Sequence, residues 1–200
     1  MDNNFWNNRY TLVNDLYGTK PNQYFKEKIE FLKSGQLLIP GEGEGRQAIY
    51  AAAQGWQVTA FDLSKVAQQH ALEKAENMRL SLNYQLSKAE DFSYPKETYD
   101  CAAVIYFHLP PGGRSNVHKR IAASVKAGGH IIIEAFHPRQ LGYSSGGPKS
   151  EDMLYTSEMI SQDFVGWEFI EKLEGEVLLE EGSGHAGPAY VTRLFARKKE

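Results

Sequence analysis

A short loop between an apolar run and an alanine-rich segment carries three glycines and two carboxylates, in the order Pro40-Gly41-Glu42-Gly43-Glu44-Gly45. Glycines at this spacing let a ligand approach the backbone and let the following helix pack close to a sheet. Asp62 ends the next apolar run. Because the ends of neighbouring parallel strands meet at one edge of a sheet, this carboxylate can accept both hydroxyls of a ribose. The combination predicts a nucleoside-containing cofactor.

The two glutamates of the loop indicate which nucleoside this is. Each would repel a bound pyrophosphate by about 1 kcal/mol or more at intermediate dielectric, which disfavours NAD. The glycines also run GxGxG, where the dinucleotide fingerprint requires GxGxxG. S-adenosylmethionine has no phosphate and carries a sulfonium cation. We therefore predict S-adenosylmethionine as the cofactor, with a glycine-rich turn that holds no ligand as the structural alternative.

The composition sets the size and the class of the molecule. With 200 residues, of which 42% are hydrophobic and 24% are charged, we expect one domain over 1–200, with 1–34 as an N-terminal helical lid region. A net charge of −3 predicts no nucleic-acid partner. We find neither a signal peptide nor a membrane span, so we expect a cytoplasmic protein with no membrane partner. Cys101 lies in an apolar run and is predicted to be core, and we predict no metal site.

Apolar runs alternate with helical patterns along most of the chain. The predicted strands are 37–39, 56–61, 82–86, 99–107 and 130–136, followed by 167–179 and 189–197. The predicted helices are 21–34, 46–54, 65–78 with Ser64 as its N-cap, 116–125 and 157–164. The last two strands lack a connecting helix and should pair antiparallel. The pattern predicts an α/β fold, a Rossmann-like doubly wound sheet with an antiparallel C-terminal strand pair.

With these features the sequence resembles the class I S-adenosylmethionine-dependent methyltransferases, and among them the small tellurite-resistance (TehB-like) group. The resemblance runs from the GxGxG loop through SVKAGGHIIIEAF to the closing strand pair. It implies that the glycine loop holds the methionine part, the acid of the second strand holds the ribose, and the stretch after the third strand borders adenine. The implied cofactor-binding residues are Gly41, Gly43, Gly45, Asp62, Leu63, Ala89, Glu90 and Tyr106.

Two positions depart from the family pattern. Pro40 replaces the acid that usually precedes the first glycine, so a side-chain contact to the methionine amino group is lost. Lys88 replaces an acid on the adenine side, so the contact to adenine is expected from the backbone of Ala89 and not from a carboxylate. We expect cofactor binding to survive both changes, with lower affinity.

Three residues are predicted to face the methyl acceptor as catalytic residues, namely His185, Arg193 and His108. The tellurite-type proteins are similar in the last segment, with a histidine before the final strand and an arginine within it. In the structural alternatives, His108 only leads into a helix and Arg193 pairs with Glu176 or Glu180. His137 is a further candidate, whereas His118 is expected on a solvated helix face.

Two segments are candidates for covering the site. Trp6, Arg9 and Tyr10 form either a lid or a hydrophobic contact with the first helix, and the glycine-rich loop 143–148 could close the acceptor pocket.

Taken together, these features predict methyl transfer from S-adenosylmethionine to a small-molecule acceptor. The acceptor could be a chalcogen oxyanion such as tellurite or selenite, a thiol or an amine, and we expect a monomer or weak homodimer. The alternatives are a catalytically silent S-adenosylmethionine-binding protein and an NAD-dependent oxidoreductase. A nucleic-acid methyltransferase is disfavoured because Tyr106-Phe107-His108-Leu109 replaces the signature that receives a flipped adenine.

Overall fold

The computed structural model describes residues 3–110 and 112–200. Its seven strands are β1 (Gln36–Pro40), β2 (Gln57–Asp62), β3 (Asn83–Leu86), β4 (Tyr99–Ile105), β5 (Val125–Phe136), β6 (Trp167–Glu181) and β7 (His185–Lys198). Its α-helices are α1 (Asn3–Leu12), α2 (Gln23–Ile29), α3 (Arg46–Ala53), α4 (Lys65–Asn77), α5 (Arg114–Ser124) and α6 (Ser157–Ser161). Among these described residues, no helix has the length and apolar character needed to cross a membrane.

All seven strands belong to one sheet in the order β3-β2-β1-β4-β5-β7-β6. The first five strands run parallel, and β7 lies antiparallel between β5 and β6. The order reverses at β1, and ligands of open α/β sheets bind outside the carboxyl ends of the strands at such a switch point. The sheet confirms the predicted doubly wound fold with its antiparallel C-terminal pair, and it brings the glycine loop and Asp62 to the same edge.

The central strands are buried on both faces, as their continuous apolar runs predict. Leu38 and Val104 face one side, where α5 and α6 pack, and Leu37 and Ala103 face the other side against α2, α3 and α4. Cys101 is fully buried in the second cluster, as expected. Two cores therefore pack the sheet between two helix layers and fix the strand ends that carry the site.

Helix α1 lies within the predicted helical region 1–34, although no separate helix was predicted before residue 21. The side chain of Asn7 in α1 accepts a hydrogen bond from the Ser64 hydroxyl at 2.7 Å. The same hydroxyl accepts the N–H of Ala67 and thereby caps the N-terminus of α4. The Ser64 cap confirms the prediction from the sequence. Helix α1 is thereby fixed over the N-terminus of α4, next to the glycine loop.

Gly45 is the position in the loop where a side chain has no room. A Cβ there would lie 2.7 Å from the Ala71 Cβ and 3.2 Å from its Cα, and the Gly45 φ of +87° disfavours any other residue. We expect Gly45→Ala to lower the free energy of unfolding by about 2–4 kcal/mol, because strain and overpacking add. Gly142→Ala is the matched control, since a Cβ there meets nothing within 4 Å. Equal denaturant midpoints for the two variants would contradict this prediction.

Candidate functional site

Asp62 connects the glycine loop to the start of α4. Its Oδ2 accepts the Gly43 N–H at 3.0 Å and its Oδ1 accepts the Ser64 N–H at 2.8 Å. Burial raises the pKa of Asp62, and the backbone donors oppose part of this rise. A carboxylate has about four lone-pair positions, so each oxygen keeps one for a further donor. The arrangement suits the two hydroxyls of a ribose lying across the loop.

The two loop glutamates are bound by the fold itself. Glu42 accepts the Ala48 N–H at 2.6 Å and so caps α3, a role that Gly45 at the N-cap position cannot fill. Glu44 accepts the N–H groups of Asp15 and Leu16, each at 3.0 Å. Both side chains therefore bond to backbone donors of the protein, whereas the repulsion of a pyrophosphate expected from the sequence requires free carboxylates beside the ligand.

Glu42 should make stability depend on pH. Burial raises its pKa to about 8, whereas the unfolded chain has an ordinary glutamate, so the folded state binds an extra proton between these values. The contribution of this proton to the free energy of unfolding is largest below about pH 4 and is lost as the pH rises through about 8. We expect wild type to lose stability relative to Glu42→Gln between pH 5 and 9, measured by urea unfolding. A constant difference across this range would contradict the raised pKa.

A shallow cavity of about 290 Å³ lies beside the stretch predicted to border adenine. It is lined by Asn3, Leu63, Leu86, Ser87, Lys88 and Asp91. Ala89 and Glu90 do not line it: Ala89 is buried and its carbonyl accepts the Tyr94 hydroxyl at 3.1 Å, while Glu90 is exposed. A cavity of about 510 Å³ lies near the opposite strand ends, beside Gln36 and Asn83, where no predicted site residue lies. The smaller cavity adjoins Asp62, and this position fits the adenine of an adenosyl ligand.

The N-terminal segment, defined here as residues 3–18, lies over the glycine loop. A Cβ on Gly43 would approach the Tyr10 hydroxyl to 2.7 Å, so this buried ring rests on the loop. At its other end the Leu16 carbonyl accepts the N–H of Gly184, in the turn between β6 and β7, at 2.8 Å. The segment thus spans from the loop to the last hairpin, in the place that a lid would occupy.

Tyr106 follows β4 with a φ of +50°, an uncommon conformation for a residue with a side chain. Its ring lies 4.5 Å from that of Phe136 and 4.6 Å from that of His185, centroid to centroid. Tyr17 of the N-terminal segment contacts His185 from another side at 4.4 Å. The sheet therefore brings Tyr106, predicted beside the cofactor, and His185, predicted to face the acceptor, together within a cluster of aromatic rings.

Arg193 has a buried partner that the sequence analysis did not identify. It forms an ion pair with Glu134, whose side chain is 0% exposed, and not with Glu176 or Glu180. The Asn22 side chain donates to Glu134 at 2.8 Å, and the Tyr106 hydroxyl donates to it as well. The guanidinium of Arg193 thus neutralises a buried carboxylate, which corrects the pairing expected from the sequence.

His108 has both ring nitrogens engaged by the backbone. Its Nδ1 donates to the Met153 carbonyl at 2.6 Å, and its Nε2 accepts the Phe136 N–H at 3.1 Å. Burial lowers its pKa to about 4, so the ring is neutral. These contacts leave no nitrogen for an acceptor and disfavour the catalytic role predicted for His108.

His118 and His137 both make structural contacts, and the position of His118 differs from the prediction. His118 is fully buried against Asp163 at 2.8 Å, so its predicted position on a solvated helix face is wrong. His137 accepts the Arg139 N–H at 3.1 Å as the N-cap of a short 3₁₀ helix.

Glu181 and Arg46 are site residues that sequence reasoning missed. Glu181 accepts the Arg46 guanidinium and the Asn22 side chain, each at 2.8 Å, and its Oε2 lies 3.6 Å from the Nδ1 of His185. No local pattern could have indicated this, because the group forms only when α3, β6 and β7 meet at the sheet edge.

Known proteins are similar to this chain in sequence over its central part. Residues 38–129 match the family model described as a methyltransferase domain. The chain is 26% identical over 149 residues to "Probable thiol methyltransferase 2" of Arabidopsis thaliana, which is 73% of this chain and 64% of that relative. The matched segment therefore spans slightly less than two thirds of that relative's length.

Two solved structures share the fold over nearly the whole chain. One comes from a study of the conversion of a disulfide bond into a thioacetal group during echinomycin biosynthesis, with a TM-score of 0.77, 16% identity and coverage of 98% of this chain and 91% of the other. The other is TehB from Haemophilus influenzae, with a TM-score of 0.75, 18% identity and coverage of 97% and 67%. These two likenesses show the fold, and the family match indicates a methyltransferase domain over residues 38–129, for which S-adenosylmethionine is the cofactor.

Proposed function

We propose that the whole protein transfers a methyl group from S-adenosylmethionine to a small thiol. The observation that carries this proposal is a row of rings from the glycine loop to the last hairpin. It begins with Tyr10 on Gly43, continues through Tyr17 at 6.4 Å, and ends at His185. This row connects the glycine loop, where the donor would bind, with His185 on the last hairpin.

The chain's own residues bind and align the two reactants. S-adenosylmethionine, when bound, supplies a methyl carbon that the adjacent sulfonium activates. Asp62 would hold the ribose, the glycine backbone would hold the methionine part, and the cavity beside Leu63 would hold the adenine. Alignment accounts for most of the acceleration in such a displacement. The aromatic rings around His185 exclude water from the acceptor side.

The charges near His185 favour an uncharged acceptor. Arg46 is paired with Glu181 and Arg193 with Glu134, so each guanidinium is offset by a carboxylate. A dianion placed there would find little net attraction. The name of the Arabidopsis relative points to the same acceptor class.

A chalcogen oxyanion is the second candidate acceptor. Arg9 of the N-terminal segment has a buried Nε without a hydrogen-bond partner in 3–110 and 112–200, and its charge acts on Tyr17 and His185. An oxyanion would satisfy this donor. The likeness to the TehB structure is consistent with such an acceptor.

Calorimetry with S-adenosylmethionine, S-adenosylhomocysteine and NADH tests the donor, and assays with a thiol, an amine, tellurite and selenite test the acceptor. We expect micromolar binding of both adenosyl ligands, no response to NADH, and methylation of the thiol. Binding without turnover of any acceptor would support a catalytically silent protein. Binding of NADH alone would support the oxidoreductase and contradict the proposal.

A further inference from the structure

We propose that Glu181 is a positioning residue that orients His185 to take the proton of a thiol acceptor. The inference rests on the proposed function and extends it to residues outside the cofactor site. Three features of the hairpin between β6 and β7 carry it: the register of the two strands, the anchoring of Glu181, and the position of the buried His185 Nδ1 beside Glu181.

Glu181 and His185 face each other across the end of the hairpin. They are register partners on β6 and β7, separated by the turn 182–184. Their side chains are 11% and 7% exposed, and Glu181 Oε2 lies 3.6 Å from His185 Nδ1. Within the described part of the chain, this buried Nδ1 has no hydrogen-bond partner. A small rotation of the ring would bring it into hydrogen-bond distance of the carboxylate.

Two donors fix the carboxylate of Glu181 beside His185. Asn22 donates to its Oε1 and Arg46 to its Oε2, each at 2.8 Å. Burial alone would raise the pKa of Glu181, but the facing His185 and the Arg46 guanidinium outweigh it and lower this pKa to about 2. An ionised, anchored carboxylate next to Nδ1 favours the tautomer with the proton on Nδ1. The Nε2 atom then keeps its lone pair and can act as a base.

The Nε2 side of the ring faces the glycine-rich loop that follows β5. A Cβ on Gly146 would lie 3.2 Å from Nε2 and 2.6 Å from Cδ2, so only a glycine at 146 lets the loop pack this close to the ring. The rings of Tyr17 and Tyr106 contact His185 on its other sides. A thiol would have to reach Nε2 from the side of these two rings.

Six charged or titratable groups face the His185 ring. Two are the carboxylate of Glu181 and the neutral ring of His108, and the others are Arg46, Arg9, Tyr17 and Tyr106. Burial lowers the pKa of His185, Glu181 opposes this, and the two arginines lower it further. The ring is therefore neutral at pH 7, which is the form that accepts a proton.

The reaction step balances with these groups alone. The thiol sulfur forms a bond to the methyl carbon as the carbon–sulfonium bond breaks, and the electron pair of that bond stays on the departing sulfur. The thiol proton moves to Nε2 of His185, and Glu181 stabilises the imidazolium that forms. The proton passes to water when the products leave.

Two thiols of different acidity test this role. We would compare wild type with Glu181→Gln and His185→Gln, using benzyl mercaptan, which is protonated at pH 7, and 4-nitrothiophenol, which is already a thiolate. For benzyl mercaptan we expect kcat to fall by about 10- to 100-fold in both variants, since a general base contributes about 10²–10⁴-fold. For 4-nitrothiophenol we expect a change of less than about threefold. Glu180→Gln, at an exposed neighbour on β6, should match wild type with both thiols.

An equal loss of kcat with both thiols would overturn the proposal, because a structural role does not depend on the acidity of the acceptor. Turnover of neither thiol by wild type would instead refute the proposed function. Nitrogen NMR of labelled histidine then tests the positioning directly. We expect His185 in wild type to carry its proton on Nδ1, and Glu181→Gln to lose this preference. The same tautomer in both proteins would overturn the proposal.

Discussion

Asp62→Ala is expected to raise the dissociation constant for S-adenosylmethionine by about 100-fold or more, measured by calorimetry. The change removes the carboxylate that would accept two ribose hydroxyls. Hydrogen bonds to a charged group contribute about 1.5–3 kcal/mol each, and a loss of about 2.8 kcal/mol is a hundredfold in affinity. The variant also releases the Gly43 N–H, so the glycine loop loses its connection to the end of β2.

Two further variants make this result interpretable. Asp100→Ala removes an acid that accepts the Gln36 N–H at 2.8 Å near the opposite edge of the sheet, and it should leave cofactor affinity unchanged. Asp62→Asn keeps one acceptor oxygen and should fall between wild type and Asp62→Ala. Unchanged affinity in Asp62→Ala, with a native circular dichroism spectrum, would show that the ribose is held elsewhere.

Arg193→Ala is expected to lower the free energy of unfolding by about 3–5 kcal/mol, measured by urea denaturation at pH 7. The substitution leaves the fully buried carboxylate of Glu134 without its cation, and an unpaired buried charge is strongly destabilising. A loss of activity in this variant would therefore not show that Arg193 contacts the acceptor.

The double variant Arg193→Met with Glu134→Gln separates the charge from the packing. It removes both charges while keeping similar volumes, and such replacements are often neutral or stabilising. We expect it to recover most of the lost stability. A loss below about 1 kcal/mol in Arg193→Ala would mean that Asn22 and Tyr106 satisfy Glu134 without help.

The fold was predictable where a segment's own pattern decides its structure. Strands β1, β2 and β4 are apolar runs buried on both faces, and α4 begins at a capping serine, so these elements lie within two residues of their predicted limits. Helix α1 was predicted only as part of the helical region 1–34, without bounds of its own, because its sequence NNFWNNRYTL shows no apolar stripe. It is held by contacts such as that of Asn7 with Ser64. Strand β5 begins five residues early, at Val125, because it passes through Gly128-Gly129, which resembles a turn in sequence.

The candidate site divides in the same way. The glycine loop and Asp62 are local signals, and the structure brings them into contact. The partners of Arg193 and His108 depend on contacts between distant segments, since Glu134 is 59 residues from Arg193 and Met153 is 45 residues from His108. Residue types and spacing could identify these side chains as candidates. Only the packed fold shows which of their atoms already form hydrogen bonds or ion pairs within the protein.

The hydrogen bond between Leu16 and Gly184 has a consequence for engineering this protein. The N-terminal segment and the last hairpin both lie outside the matched methyltransferase domain, yet they contact each other. In a chimera that takes only the last hairpin from a relative, Tyr17 would contact that relative's hairpin in place of His185. In a chimera that takes only the N-terminal segment, His185 would contact the relative's segment in place of Tyr17. Acceptor preference should therefore transfer between relatives only when both ends of the chain are exchanged together.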